Sequence, residues 1–291
     1  MTVGCLLNKA IITPSQAEKI ENKNMLRIKE LLWAFFFAIS TSAATAGPTA
    51  YIAIDVENNE VLMEHFSNTR LHPAGLTKLM TLYVAFQAIE GGEVSLDKPI
   101  TVSNKASWVI GTEVKLDEGT EIALRYLIRA SGVGGANDAS MAIAVGLSGS
   151  EQMFAQRMNS TAKSLGLTRS AWKNPHGLTE KGHMSTAKDL ASLFIAHAKD
   201  FPAYFNLFSR RTTDVGVREV ANSSRRILAA IEGVSGAKYG YTHAAGYSSV
   251  TYVERGGKRI VVAVLGEKSS ANLTARMSDV IDAAYENMRT K

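Results

Sequence analysis

From His72 to Gly92 the chain reads HPAGLTKLMTLYVAFQAIEGG, and this stretch constrains the fold more than any other. Leu76, Leu79, Met80, Leu82, Tyr83, Val84, Phe86 and Ile89 leave no polar stripe wide enough for a surface helix, and Gly91-Gly92 closes the run. The pattern predicts a central helix buried on all sides, which the rest of the chain must enclose. Lys78 falls in its first turn, where the helix dipole opposes a cation and the neighbours offer little water. Either the side chain snorkels past the helix end, or it has a chemical task.

The other segments supply what such a helix needs. Ala50 to Val56 and Val61 to Phe66 are β-rich runs separated by Glu57-Asn58-Asn59-Glu60, a hairpin signal. After the central helix come loops and short extended pieces, then predicted helices over Ile122 to Ala130, Ala136 to Leu147, Ser150 to Leu165 and Thr186 to Lys199, with Ser150 and Ser185 as N-caps. Strand character returns in Thr212 to Val220, Ala237 to Thr242, and the pair Gly246 to Glu254 and Lys258 to Gly266 across Arg255-Gly256-Gly257. Leu273 to Met288 has helical spacing. Strands at both ends with a helical block between them predict one sheet closed by distant parts of the chain.

With 46% hydrophobic and 20% charged residues, the 291-residue chain has the composition of a soluble globular protein. The net charge of +5 comes from basic residues scattered among acidic ones, which argues against a nucleic-acid partner. Met25 opens a segment with Arg27 and Lys29 ahead of an apolar core from Leu31 to Ile39 and an Ala44-Thr45-Ala46 end. This reads as a cleavable signal peptide over 25–46, with residues 1–24 upstream of the true start and a mature domain over 47–291. An uncleaved anchor is the other reading, but the apolar core is shorter than the about 20 residues a span needs. Cys5, the sole cysteine, lies ahead of the signal, so the exported chain has no disulfide, as suits a bacterial periplasm.

Pro73-Ala74-Gly75-Leu76-Thr77-Lys78 resembles, in five of six residues, the Pro-Ala-Ser-x-Thr-Lys motif of the D-alanyl-D-alanine carboxypeptidases of the S11 type, within the penicillin-recognising serine peptidases. In that family the serine attacks the peptide or β-lactam carbonyl and the lysine one turn later accepts its proton. The serine position is Gly75 here, and Lys78 holds the general-base position. The family's second motif, Ser-x-Asn, matches Gly135-Ala136-Asn137; the asparagine that positions substrate backbone remains and the serine does not. Gly-Asn-Asp clusters also mark ordinary turns. The third motif, Lys-Thr-Gly, matches Lys238-Tyr239-Gly240, where the family's lysine and threonine favour the substrate carboxylate and glycine allows close backbone approach. Tyr239 would fill space vacated at Gly75 and Gly135, or block that carboxylate, or simply be a half-buried strand aromatic.

The resemblance implies an α/β chain of the α+β type with a β-lactamase/transpeptidase-like fold: an antiparallel sheet flanked by helices, with an inserted helical lobe at about 103–205. Asn174-Pro175-His176-Gly177-Leu178 and His183 to Leu190 resemble a family loop and the next helix start, both read as structural. The six histidines lack metal-ligand spacing, so no metal and no cofactor is expected. Also missing are a deacylating glutamate-asparagine loop and the β-rich domain and amphipathic tail that many S11 enzymes carry.

All three motifs have lost the family's serine or threonine, Tyr239 carrying its hydroxyl much farther out on a ring, while Lys78, Asn137, Lys238 and Gly240 remain. Losing a serine nucleophile costs on the order of a millionfold in turnover. The expectation is a periplasmic, catalytically inactive pseudoenzyme that binds peptidoglycan stem peptides or a cell-wall protein partner, without a membrane anchor after signal cleavage. The alternative is an active carboxypeptidase with a non-standard nucleophile, Thr77 or Ser131, neither of which has one-turn spacing to the lysine. A third reading is a structural or regulatory domain whose groove Tyr239 closes.

Overall fold

The computed structural model describes residues Thr49 to Thr290. The signal-peptide and start-site expectations fall on residues outside this range.

Five antiparallel strands make the main sheet: β1 (Ala50–Asp55), β2 (Val61–His65), β3 (Val234–Thr242), β4 (Gly246–Arg255) and β5 (Lys258–Glu267), in spatial order β2-β1-β5-β4-β3. The first two and last three strands therefore close one sheet through the β1–β5 pair, Ala50 opposite Leu265 to Asp55 opposite Ile260. β5 is covered on both faces, which explains its unbroken run Ile260 to Leu265. Val261, Ala263 and Leu265 join the larger core, and Ile260, Val262 and Val264 join a second core beneath the C-terminal helix. Gly256 and Gly257, both at positive φ, make the β4–β5 turn that the sequence signalled.

The central helix α1 spans Thr77–Glu90, with residues 77 to 86 all buried. Its start differs from expectation: Ala74–Leu76 form a 3₁₀ turn, so Gly75 lies off the α-helical register. The lobe beside it contains α2 (Leu124–Arg129), α3 (Asn137–Ser148), α4 (Glu151–Ser164) and α5 (Ala187–Asp200). Ser150 caps α4 as expected, but α5 is capped by Thr186, whose Oγ1 accepts from Asp189 N. Ser185 instead pairs by backbone with Leu71. Between α2 and α3, Ala130–Gly134 wind as a π-helix that ends on Gly135 at φ 77°.

Three further elements depart from the reading of the sequence. Thr212 to Val220 is not one strand but a small hairpin, Thr212–Asp214 with Glu219–Ala221. Ile122 to Ala130 begins as a short strand, Glu121–Ala123, paired with Pro99–Thr101. A short helix, α6 (Arg225–Ala230), has too few residues to show a period. The C-terminal helix α7 (Ser270–Thr290) lays Leu273, Met277, Val280, Ile281 and Ala284 against the sheet.

Candidate functional site

β3 lies at one edge of the sheet, and the 3₁₀ turn carrying Gly75 packs directly against it. A Cβ on Gly75 would stand 2.8 Å from Tyr239 O and 3.1 Å from Gly240 Cα; a Cβ on Gly240 would stand 2.6 Å from Gly75 N. The two backbones are therefore closer than side chains permit. Ala74, just before, is held at φ 48°, in the left-handed region.

Lys78 is 2% exposed. Its Nζ donates to Asn137 Oδ1 and to His176 O, each at 2.7 Å. Burial lowers its pKa to about 7, against an opposing pull from Asp138. Asn137 is fixed from both ends of its amide: Oδ1 accepts from Lys78 and Nδ2 donates to Ile110 O at 2.8 Å. Asp138 anchors the adjoining loop, accepting from Val114 N at 3.0 Å and Leu116 N at 3.2 Å. Burial raises its pKa.

A cavity of about 480 Å³ is bordered by Gly75, Lys78, Gly135, Asn137, Tyr239 and Gly240, so positions from all three motif stretches meet in one open groove. Lys238 is the exception among the expected residues. It is fully buried, does not border the cavity, and its Nζ donates to Ser131 O at 2.9 Å and Gly132 O at 2.6 Å. Those carbonyls belong to the π-helix, whose end a donor from a lysine suits well. Burial, and then the neighbouring Lys78, lower the pKa of Lys238 well below its ordinary value. Lys238 was expected to face a substrate carboxylate; here its Nζ donates to two carbonyls inside the fold and does not border the cavity.

Of the three readings open for Tyr239, its placement is that of a half-buried strand aromatic. Successive residues of β3 face opposite sides of the sheet, and the Tyr239 ring packs toward the second core, 6.4 Å from the ring of Tyr247. It fills neither vacated position. Its own carbonyl crowds Gly75, while Ser223 stands beside Gly135, with Oγ 3.4 Å from where a Cβ would be.

The alternative nucleophiles are engaged elsewhere. Thr77 Oγ1 is buried against His183 Nε2 at 2.7 Å, and Ser131 Oγ against Ser140 Oγ at 2.9 Å. The reading of the sequence missed Gly111, Thr112 and Ser223, which also border the cavity. Only the loop at His176-Gly177 carried a signal: Gly177 has φ 92°, and a Cβ there would lie 1.8 Å from Ala74 O. Among the described residues, no group of three or more His, Cys, Asp or Glu could hold a metal, and no helix is long and apolar enough to cross a membrane.

A sequence model of the D-alanyl-D-alanine carboxypeptidases, peptidase S11, matches residues 38–269. The chain belongs to the D-alanyl-D-alanine carboxypeptidase family. It is 31% identical over 244 residues to the D-alanyl-D-alanine carboxypeptidase DacF of Bacillus subtilis, covering 82% of this chain and 62% of that protein. With DacA of Escherichia coli K12 the identity is 32% over 249 residues, covering 83% and 61%. The chain thus spans about three fifths of the length of these relatives. Among solved structures, DacD of Francisella tularensis superposes with a TM-score of 0.77 at 25% identity, over 85% of this chain and 71% of that one. Penicillin-binding protein D2 of Listeria monocytogenes in its ampicillin-bound form gives 0.74 at 25% identity, over 84% and 99%. The fold is that of the penicillin-binding carboxypeptidases: an antiparallel sheet with helices on both faces, and the groove where edge strand, central helix and lobe meet.

Proposed function

We propose that this chain is a non-hydrolytic member of the carboxypeptidase family, exported to the periplasm, that binds peptidoglycan stem peptides in the groove over Gly75 without cleaving them. The observation that carries this reading is the approach of Tyr239 O to Gly75: the nucleophile is absent, and the strand occupies the room its side chain would need. Binding is supported by the open cavity and by Asn137, whose amide is held rigidly at its edge. The free edge of β3 offers backbone donors and acceptors to an extended peptide.

The engagement of Thr77 with His183 and of Ser131 with Ser140 disfavours turnover by either hydroxyl. The open cavity disfavours a groove closed by Tyr239. The test is a titration of an acetylated peptide ending in D-Ala-D-Ala, read by calorimetry and by D-alanine release. Saturable binding without release supports the proposal; release at an enzymatic rate refutes it. Export is tested by sequencing the N-terminus of the mature protein, with Gly47 expected.

A further inference from the structure

We infer that Lys78 is itself a nucleophile, an amine that captures strained lactams entering the groove and holds them as an amide.

Its geometry fits a neutral amine. A neutral amine has two N–H bonds and one lone pair, whereas an ammonium has three N–H bonds. Lys78 Nζ has two acceptors, Asn137 Oδ1 and His176 O, and among the described residues no third takes a hydrogen bond from it. Those two bonds leave one tetrahedral direction at Nζ without a protein acceptor among the described residues, the direction in which a neutral amine carries its lone pair. Nζ also lacks a carboxylate partner in an ion pair: the nearby Asp138 spends its oxygens on the backbone N–H groups of Val114, Leu116 and Ala139. A lysine desolvated in its pocket is a recognised route to a nucleophilic amine, and burial is what lowers the pKa of Lys78 here. The pKa of about 7 leaves about half of it neutral near pH 7.

Access separates the two lysines. Lys78 borders the cavity and Lys238 does not. At Gly75 and Gly135 the wall beside Lys78 has no side chains of its own; the hydroxyl of Ser223 stands beside Gly135, so peptide mapping must separate an adduct on Lys78 from one on Ser223. Surface lysines at their ordinary pKa are about 99.9% protonated at about pH 7.5.

The step balances without a co-reactant. The amine nitrogen bonds to the lactam carbonyl carbon, the carbonyl carbon to ring nitrogen bond breaks, and the ring nitrogen takes the proton that the amine gives up. The whole lactam is retained, so the chain gains its full mass. Ring strain drives the opening, which an ordinary peptide amide does not offer. An amide is far more resistant to water than the ester a serine forms, and acylation also consumes the lysine that would activate water. Capture therefore happens once per chain.

The experiment uses the full exported chain with benzylpenicillin, followed by intact mass and peptide mapping. One adduct on the Lys78 peptide is expected. It should resist neutral hydroxylamine, and its rate should rise about tenfold between about pH 6 and about pH 8.5. Lys78→Met should not acquire it; if that variant does not fold, the mapping, hydroxylamine and pH results on the unsubstituted chain decide. No adduct, labelling spread evenly over surface lysines, or an adduct that hydroxylamine removes would each overturn the inference. The outcomes are separable from those for the proposed function. Absence of an adduct with intact peptide binding overturns only the lysine chemistry, whereas D-alanine release overturns the non-hydrolytic reading.

Discussion

Gly75 and Gly240 face each other so closely that a Cβ on Gly240 would lie 2.6 Å from Gly75 N. The contact joins the first and third motif stretches by backbone alone. It has a direct consequence for repair of the missing nucleophile. Gly75→Ser places a Cβ 2.8 Å from Tyr239 O, a backbone atom that cannot swing aside as a side chain would. The variant is expected to lose about 1–3 kcal/mol in urea unfolding and to gain no D-alanine release, because Gly135 and Tyr239 still lack the family's hydroxyls. Appreciable turnover by this single substitution would contradict the reading of the site.

Stability should rise with pH on both sides of neutrality. Burial holds His183 at a pKa of about 3 and His197 at about 4, from an ordinary 6.5. Between those values and 6.5 the unfolded chain binds more protons than the folded one, so stability is lost as pH falls through this window. Lys78 acts with the same sign at higher pH. From about 7 to its ordinary 10.5 the folded lysine is neutral while the unfolded one is charged, so stability rises with pH. Each such group contributes a slope of about 1.4 kcal/mol per pH unit inside its window. Lys78→Met should reduce the slope between about pH 7 and 9 by about one proton's worth, and an unchanged slope in urea titrations would contradict the assignment.

Lys238→Ala leaves the carbonyls of Ser131 and Gly132 without their donor inside the fold. The substitution removes both hydrogen bonds and leaves a cavity in their place. A destabilisation of about 3 kcal/mol is expected, together with faster amide exchange in residues 130 to 134. Full stability with lost peptide binding would instead make Lys238 a ligand contact.

Asp138 holds the loop beside the groove through Val114 N and Leu116 N. Asp138→Ala should cost about 2–3 kcal/mol and accelerate hydrogen exchange at those two amides before any effect in the main sheet. Equal protection there would show that the loop is held by other contacts.

Much of the architecture was legible because burial writes long patterns. The all-round apolar run of α1 predicted its central place, and the glycines at 256 and 257 marked the β4–β5 hairpin. The short hairpin over Thr212–Asp214 and Glu219–Ala221 was not, since three-residue strands show too little alternation to be separated from one long strand. In the site, Lys78 and Asn137 were legible by resemblance and meet at 2.7 Å. The surroundings of Lys238 were not legible because sequence names a residue and not its partner. Nothing in the order of residues says that a π-helix would present two carbonyls to it. The choice among the three readings of Tyr239 stayed open for a related reason: the strand's alternation sends its ring to the face opposite Lys238, a relation fixed only by the position of the sheet.

The most direct measurement is D-alanine released from an acetylated D-Ala-D-Ala peptide by the mature chain, at a peptide concentration that calorimetry shows to be saturating. Release no faster than the uncatalysed background, with the binding site filled, is the predicted result. Sustained release of many equivalents of D-alanine per chain would mean that a working nucleophile exists, and would contradict the central claim.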